Sequence, residues 1–118
     1  MESGNSVIPQ IASGFAGGIG NTGAVCGAVV GGVMAIGLKL GRAATVEEML
    51  QNLGVAREFR RRFEDEMGEI GCRELTGLDL TTEEGVTELM NSDAAQRVCF
   101  PAVGAAYRLA VELLKEIE

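Results

Sequence analysis

Apolar residues in this chain recur at spacings of three and four and show no sustained alternation, a pattern that predicts helices. The clearest stripe is Val46, Met49, Leu50, Leu53, Ala56, Phe59, Phe63 and Met67. It stands behind Thr45-Val46-Glu47-Glu48, the sequence of a capping box. Gly68 closes this helix, and Gly54 is its one internal point of weakness. A second capping box, Thr81-Thr82-Glu83-Glu84, starts a shorter helix through about Met90. The last helix is predicted from Ser92 or Asp93 to the C-terminus. Its stripe is Cys99, Ala102, Val103, Ala106, Leu109, Ala110, Leu113, Leu114 and Ile117. Pro101 removes a hydrogen bond to residue 97 and is expected to kink it.

The N-terminal third is patterned differently: from Ser3 to Leu38 no residue is charged. Ser13, Gly14, Gly17, Gly18, Gly20, Asn21, Thr22 and Gly23 divide that run. The longest apolar piece, Ala24 to Leu38, contains four glycines and is shorter than the ~20 residues of a membrane span. It reads as a buried bundle helix from about Ala24 to Gly41, capped by Asn21 or Thr22, with Lys39 and Arg42 complementing its C-terminal dipole. Before it come a short helix, about Ser6 to Phe15, starting near Pro9, and a glycine-rich connector, Gly14 to Gly23. The predicted fold is all-α: a small bundle of four to five helices in a single domain over residues 1–118, with the connector preceding the cysteine helix.

Composition narrows the chemistry. Hydrophobic residues are 47% of the 118, but aromatics are only 4% and Trp is absent, so the core must be aliphatic. The net charge of −7 opposes nucleic acid and anionic membranes. The one basic run, Arg60-Arg61-Arg62, is expected to neutralise itself by i,i+4 pairing with Glu64, Asp65 and Glu66. No secretory signal is recognisable at Met1-Glu2-Ser3, and three cysteines make a poor disulfide scaffold, so a cytoplasmic protein is expected.

Gly18-Ile19-Gly20-Asn21-Thr22-Gly23 satisfies G-x-G-x-x-G, but no strand precedes it and no βαβ unit surrounds it. A tight turn feeding a helix is the simpler reading; exposed N–H groups holding an anion are the sharper one. Gly23, Gly27 and Gly31 fall at i+4 intervals, as do Gly37 and Gly41, and such rows let another backbone approach. Gly18, Gly20, Gly23, Gly27 and Gly31 are therefore the candidates for shaping a cofactor pocket.

The three cysteines carry the remaining chemistry. Cys26 falls at a helix start, where the dipole favours a thiolate. Cys72, in a glycine-bounded loop beside Arg73, is expected to share that preference, whereas Cys99 lies on an apolar stripe. With no C-x-x-C pair and no histidine, thioredoxin-type dithiols, Cys/His zinc fingers and His-dependent nucleophiles are excluded. A metal site would rest on Cys26, Cys72 and Cys99, aided by Glu74 or Asp79, and would suit iron–sulfur, zinc or copper(I).

Ile11-Ala-Ser-Gly-Phe-Ala-Gly-Gly-Ile-Gly20, Cys26-Gly-Ala-Val-Val-Gly31, Gly37-Leu38, Gly41-Arg42, Phe63, Gly68, Cys72-Arg-Glu-Leu75 and Cys99 follow in an order that resembles the C_GCAxxG_C_C family of small redox-active proteins. The resemblance implies that Cys26, Cys72 and Cys99 match the family's second, third and fourth cysteines. The first belongs upstream of the block that begins near Pro9, but only Met1 to Ile8 precede that block and none of them is cysteine. The expected function is redox work by cysteine thiolates, either ligating an iron–sulfur or other metal centre or exchanging thiol and disulfide. The alternative is a helical interaction module with structural cysteines. A protein redox partner or a second copy of the chain is the expected partner, and whether the site is catalytic is left open.

Overall fold

The computed structural model describes residues 7–117. Met1 to Ser6, including the Ser6 edge of the first predicted helix, and Glu118 lie outside the described residues. The elements are α1 (Val7–Ala12), α2 (Gly27–Leu40), α3 (Val46–Met67), α4 (Cys72–Thr76), α5 (Glu83–Asn91) and α6 (Phe100–Glu116). A 3-10 turn, Ser13–Phe15, follows α1, and a π-helical turn, Ala95–Cys99, leads into α6. The fold is all-α; among the described residues the one extended pairing is the isolated antiparallel bridge between Val25 and Gly71.

The three long helices α2, α3 and α6 pack against one another around a single core. From α2 come Val29 and Ile36, from α3 Phe59 and Phe63, and from α6 Ala102, Ala105, Ala106, Leu109, Ala110 and Leu113. The alanines let the backbones approach, and the two phenylalanine rings, 6.4 Å apart between centroids, fill the space between helices. Gly32 is part of this fit. A Cβ there would lie 2.2 Å from Phe59 Cζ, so the ring occupies the room a side chain would need.

Several boundaries differ from the sequence expectation. The cysteine helix begins at Gly27 rather than near Ala24, because residues 24–26 are drawn out by the bridge to residues 70–72. Its N-cap is Cys26, without a side-chain cap bond, and not Asn21 or Thr22. Nor is it buried all round: Val33 and Leu38 are exposed. The close-packed glycine is Gly32, not Gly31, which meets open space.

Helix α3 runs unbroken through Gly54 and ends at Gly68, whose φ of 92° suits glycine. Thr45 caps it by accepting from the Glu48 N–H at 3.1 Å, while Glu48 reaches back to the Ala44 N–H. Only Phe59 and Phe63 of its stripe are buried. Val46, Met49, Leu50 and Leu53 are exposed, and Met49 and Leu53 line an open groove with the C-terminal turns of α2. In the second box the cap is Thr82, accepting from Gly85 N–H, one residue later than expected. Gly85 cannot reciprocate, and a Cβ there would strike the Asp79 carbonyl.

The α6 stripe is borne out at Ala102, Ala106, Leu109, Ala110, Leu113 and Leu114. Val103 is exposed, with Ala105 buried in its stead, and Ile117 is exposed too. Arg60 and Arg61 pair with Glu64 and Asp65 as expected. Arg62 instead takes Glu58 and both carboxylate oxygens of Glu116, at 2.8 and 2.9 Å, tying α3 to α6. Glu66 pairs with Arg108.

Candidate functional site

The glycine-rich connector makes one turn of the opposite hand. Gly17, Gly18, Ile19, Gly20 and Asn21 all have positive φ, between 61° and 70°. For L-residues such a turn costs roughly 1–2 kcal/mol each, which three glycines avoid and Asn tolerates, leaving Ile19 as the strained member. Backbone bonds hold it: Gly23 N–H to Gly17 O, Ala24 N–H to Gly18 O, and the Thr22 hydroxyl to Gly18 O at 2.7 Å. The Asn21 side chain folds back over Gly17, where a Cβ would meet it at 1.8 Å.

This turn delivers the chain to the bridge. Cys26 N–H donates to Ile70 O and Cys72 N–H to Ala24 O, both at 2.7 Å. Cys26 and Cys72 are thus the residues immediately after the paired Val25 and Gly71, and each opens a helix: Cys26 as N-cap of α2, Cys72 as first residue of α4. Cys99 closes the π-turn, in which the Phe100 N–H bonds to Ala95 O, five residues back rather than four. The widened turn absorbs the missing donor of Pro101 where a sharp kink was expected.

All three cysteines line one cavity of about 330 Å³, with Gly17, Gly18, Leu75, Leu80 and Ala102 among its walls. Cys72 is buried; Cys26 and Cys99 are half-buried, and none is in a disulfide. Burial pushes the Cys72 thiol up from its ordinary value. The neighbouring Cys26 and Cys99 and the charge of Glu74 add to this, and the Thr76 hydroxyl partly offsets it. Cys99 is raised likewise, by burial first and by Cys26 second. The expectation that Arg73 would favour a Cys72 thiolate is therefore overturned. Its guanidinium points outward to Asp79, 3.3 Å away, and does not offset the burial of the sulfur.

The five candidate glycines divide. Gly18 and Gly27 line the cysteine cavity, and Gly18 is required there because a Cβ would fall 2.8 Å from Cys72 Cβ. Gly20 meets open space, and Gly23 packs against Arg73 Cβ. Gly31, again with Gly27, lines a second groove of about 320 Å³ between α2 and α6, beside Ala35, Val103 and Tyr107. Gly17, Leu80 and the π-turn escaped the sequence reading; Pro101, well inside the predicted last helix, was the one signal that could have found the turn.

The family model described as "Putative redox-active protein (C_GCAxxG_C_C)" matches residues 2–113. The chain belongs to the C_GCAxxG_C_C family. No curated protein and no solved structure matches it. The family's name is written in cysteines, and in this C_GCAxxG_C_C protein three of them face a common space.

A resident metal or cluster fits that space poorly. Among the described residues no group of three or more His, Cys, Asp or Glu is arranged to hold a metal ion. The carboxylates expected to help are engaged or outward: Asp79 accepts from Thr81 and pairs with Arg73, which hold its carboxyl below the usual range, and Glu74 is exposed. Among the described residues no helix is long and apolar enough to cross a membrane.

Proposed function

We propose that this protein is a thiol–disulfide redox protein in which Cys26 is the attacking thiol and Cys72 the resolving one, with Cys99 as third participant. The observation that carries the reading is that the three sulfur-bearing residues share one cavity, two of them on segments tied by the Val25–Gly71 bridge. Cys26 is the more exposed of this pair and begins the longer helix, so it is the thiol that an incoming disulfide meets first.

The Cys26 thiolate attacks one sulfur of a disulfide RSSR, forming a mixed disulfide and releasing RS⁻. Cys72, losing its proton to the solvent or to the departing thiolate, then attacks the Cys26 sulfur and releases the second RS⁻. Two thiols of the protein are oxidised by two electrons and one disulfide is reduced to two thiols. The reverse sequence reduces the protein. The cytoplasm and a thiol-bearing protein partner are consistent with a site kept in the dithiol form.

Peptide mapping by mass spectrometry after incubation with a small disulfide near neutral pH tests this. The expected product is a Cys26–Cys72 crosslink with loss of two hydrogens, abolished by Cys26→Ser and trapped as the mixed disulfide by Cys72→Ser. Protein purified without oxygen that carries stoichiometric metal, or thiols that form no internal bridge under any oxidant, would overturn it.

A further inference from the structure

The walls of the cysteine cavity say what kind of disulfide it admits, an inference that rests on the thiol–disulfide reading. Leu75, Leu80, Leu89, Val98 and Ala102 supply apolar surface, and apart from the reacting cysteines no residue lining the cavity is ionisable. The hydroxyl of Thr76 already donates to the Cys72 carbonyl, at 2.8 Å. The nearby Arg73 is exposed and paired with Asp79. The volume, about 330 Å³, is at the small end of the range for ligand pockets, ~300–1,000 Å³. Its mouth includes Ala16 and Val103, both exposed.

We propose that the cavity selects a small, uncharged, apolar sulfur electrophile, such as an alkyl disulfide, over charged disulfides of the glutathione type. A carboxylate or ammonium group entering here would leave water without a counter-ion or hydrogen-bond partner to replace it, which is costly. The chain's net charge of −7 adds repulsion against anions. An alkyl group loses nothing on entry and buries apolar area. Each encounter is the same exchange: the Cys26 thiolate forms the new S–S bond, the old S–S bond breaks, and the leaving group carries away the electron pair.

The test compares the reduced full-length protein with free cysteine, using methyl methanethiosulfonate, its anionic sulfonatoethyl analogue and its cationic trimethylammonioethyl analogue. Rates are read for each cysteine by peptide mass spectrometry. The neutral-to-charged rate ratio at Cys26 is expected to exceed that of free cysteine by at least about tenfold, for both signs of charge. Val103→Lys, a surface substitution at the mouth, is expected to raise the anionic rate relative to the neutral one. Ratios equal to those of free cysteine, or a preference for either charged reagent, would overturn the selectivity. If the ratios hold but no internal disulfide forms with an alkyl disulfide, the selectivity stands and the proposed function falls. If the disulfide forms but the ratios are flat, the reverse is true.

Discussion

Adjacent glycines in α2 should respond to the same substitution with opposite signs. Both Gly31 and Gly32 lie inside the helix, where Ala is favoured over Gly by up to ~1 kcal/mol. At Gly31 a Cβ meets nothing within 4 Å, so Gly31→Ala should gain about that amount. At Gly32 the Cβ would stand 2.2 Å from Phe59 Cζ and 2.8 Å from both Cε atoms. Phe59 is 0% exposed and belongs to the core, so the ring cannot swing into solvent. Overpacking typically costs ~1–3 kcal/mol, and contact this close puts the site at the upper end. Setting ~3 kcal/mol against ~1 leaves Gly32→Ala about 2 kcal/mol less stable than wild type. For a domain of this size that is a melting point roughly 8 °C lower, against roughly 4 °C higher for Gly31→Ala. Thermal and urea unfolding followed by far-UV circular dichroism would measure both. Adding Phe59→Leu to Gly32→Ala should restore part of the loss, as expected of contacting positions. A Gly32→Ala protein as stable as Gly31→Ala would refute the packing of α2 on α3 described above.

Gly18→Ala should cost about 2–4 kcal/mol, since a side chain at φ 70° would also strike Ala24 N and O at 2.6 and 2.7 Å; it should expose Cys72 to thiol reagents, read by labelling rates. Thr45→Ala should lose about 1 kcal/mol in urea unfolding by removing the N-cap of α3. Because Cys72 and Cys99 have raised pKa values in the fold, the stability they contribute is complete below the unfolded thiol range and is lost as pH rises through their folded values. Melting points should accordingly fall above about pH 8.5–9, and less so in a Cys72→Ala, Cys99→Ala double variant. At the acid end Glu58, held down to about 2 by Arg61 and Arg62, loses its stabilising charge only as pH falls from the ordinary glutamate range toward that value. An NMR titration of Arg62→Gln should show the Glu58 midpoint rising.

The helices were legible because their causes are local. Thr45 with Glu48, the α6 stripe from Ala102 to Leu114 and the stop at Gly68 depend on neighbours within a turn or two. What could not be read were matters decided by distant partners. Val46, Met49, Leu50 and Leu53 have the spacing of a buried face, yet burial depends on whether α6 extends far enough to cover them. Arg62 had a suitable carboxylate one turn on, but Glu116, far away in sequence, offered a bidentate geometry. Gly31 and Gly32 are indistinguishable by composition, and only the position of Phe59 separates them.

The cysteine site shows how far such local features can be combined. Each cysteine taken alone has an ordinary structural explanation, and their spacing in sequence matches no ligand motif. Convergence depends on two departures from regular helix that the sequence marks only indirectly. A run of positive-φ residues, Gly17 to Asn21, turns the chain so that residues 24–26 can pair with residues 70–72. A π-turn ahead of Pro101 leads into Cys99, which faces the same cavity. Both departures carry strain or lost regularity that packing alone would not select, and both border the thiols. If the glycines served only to shorten a connector, Gly18 would not need to lie against Cys72 Cβ. The contact makes the left-handed turn a wall of the thiol cavity, so changes at Gly18 should be felt in the reactivity of Cys72 as well as in the stability of the fold.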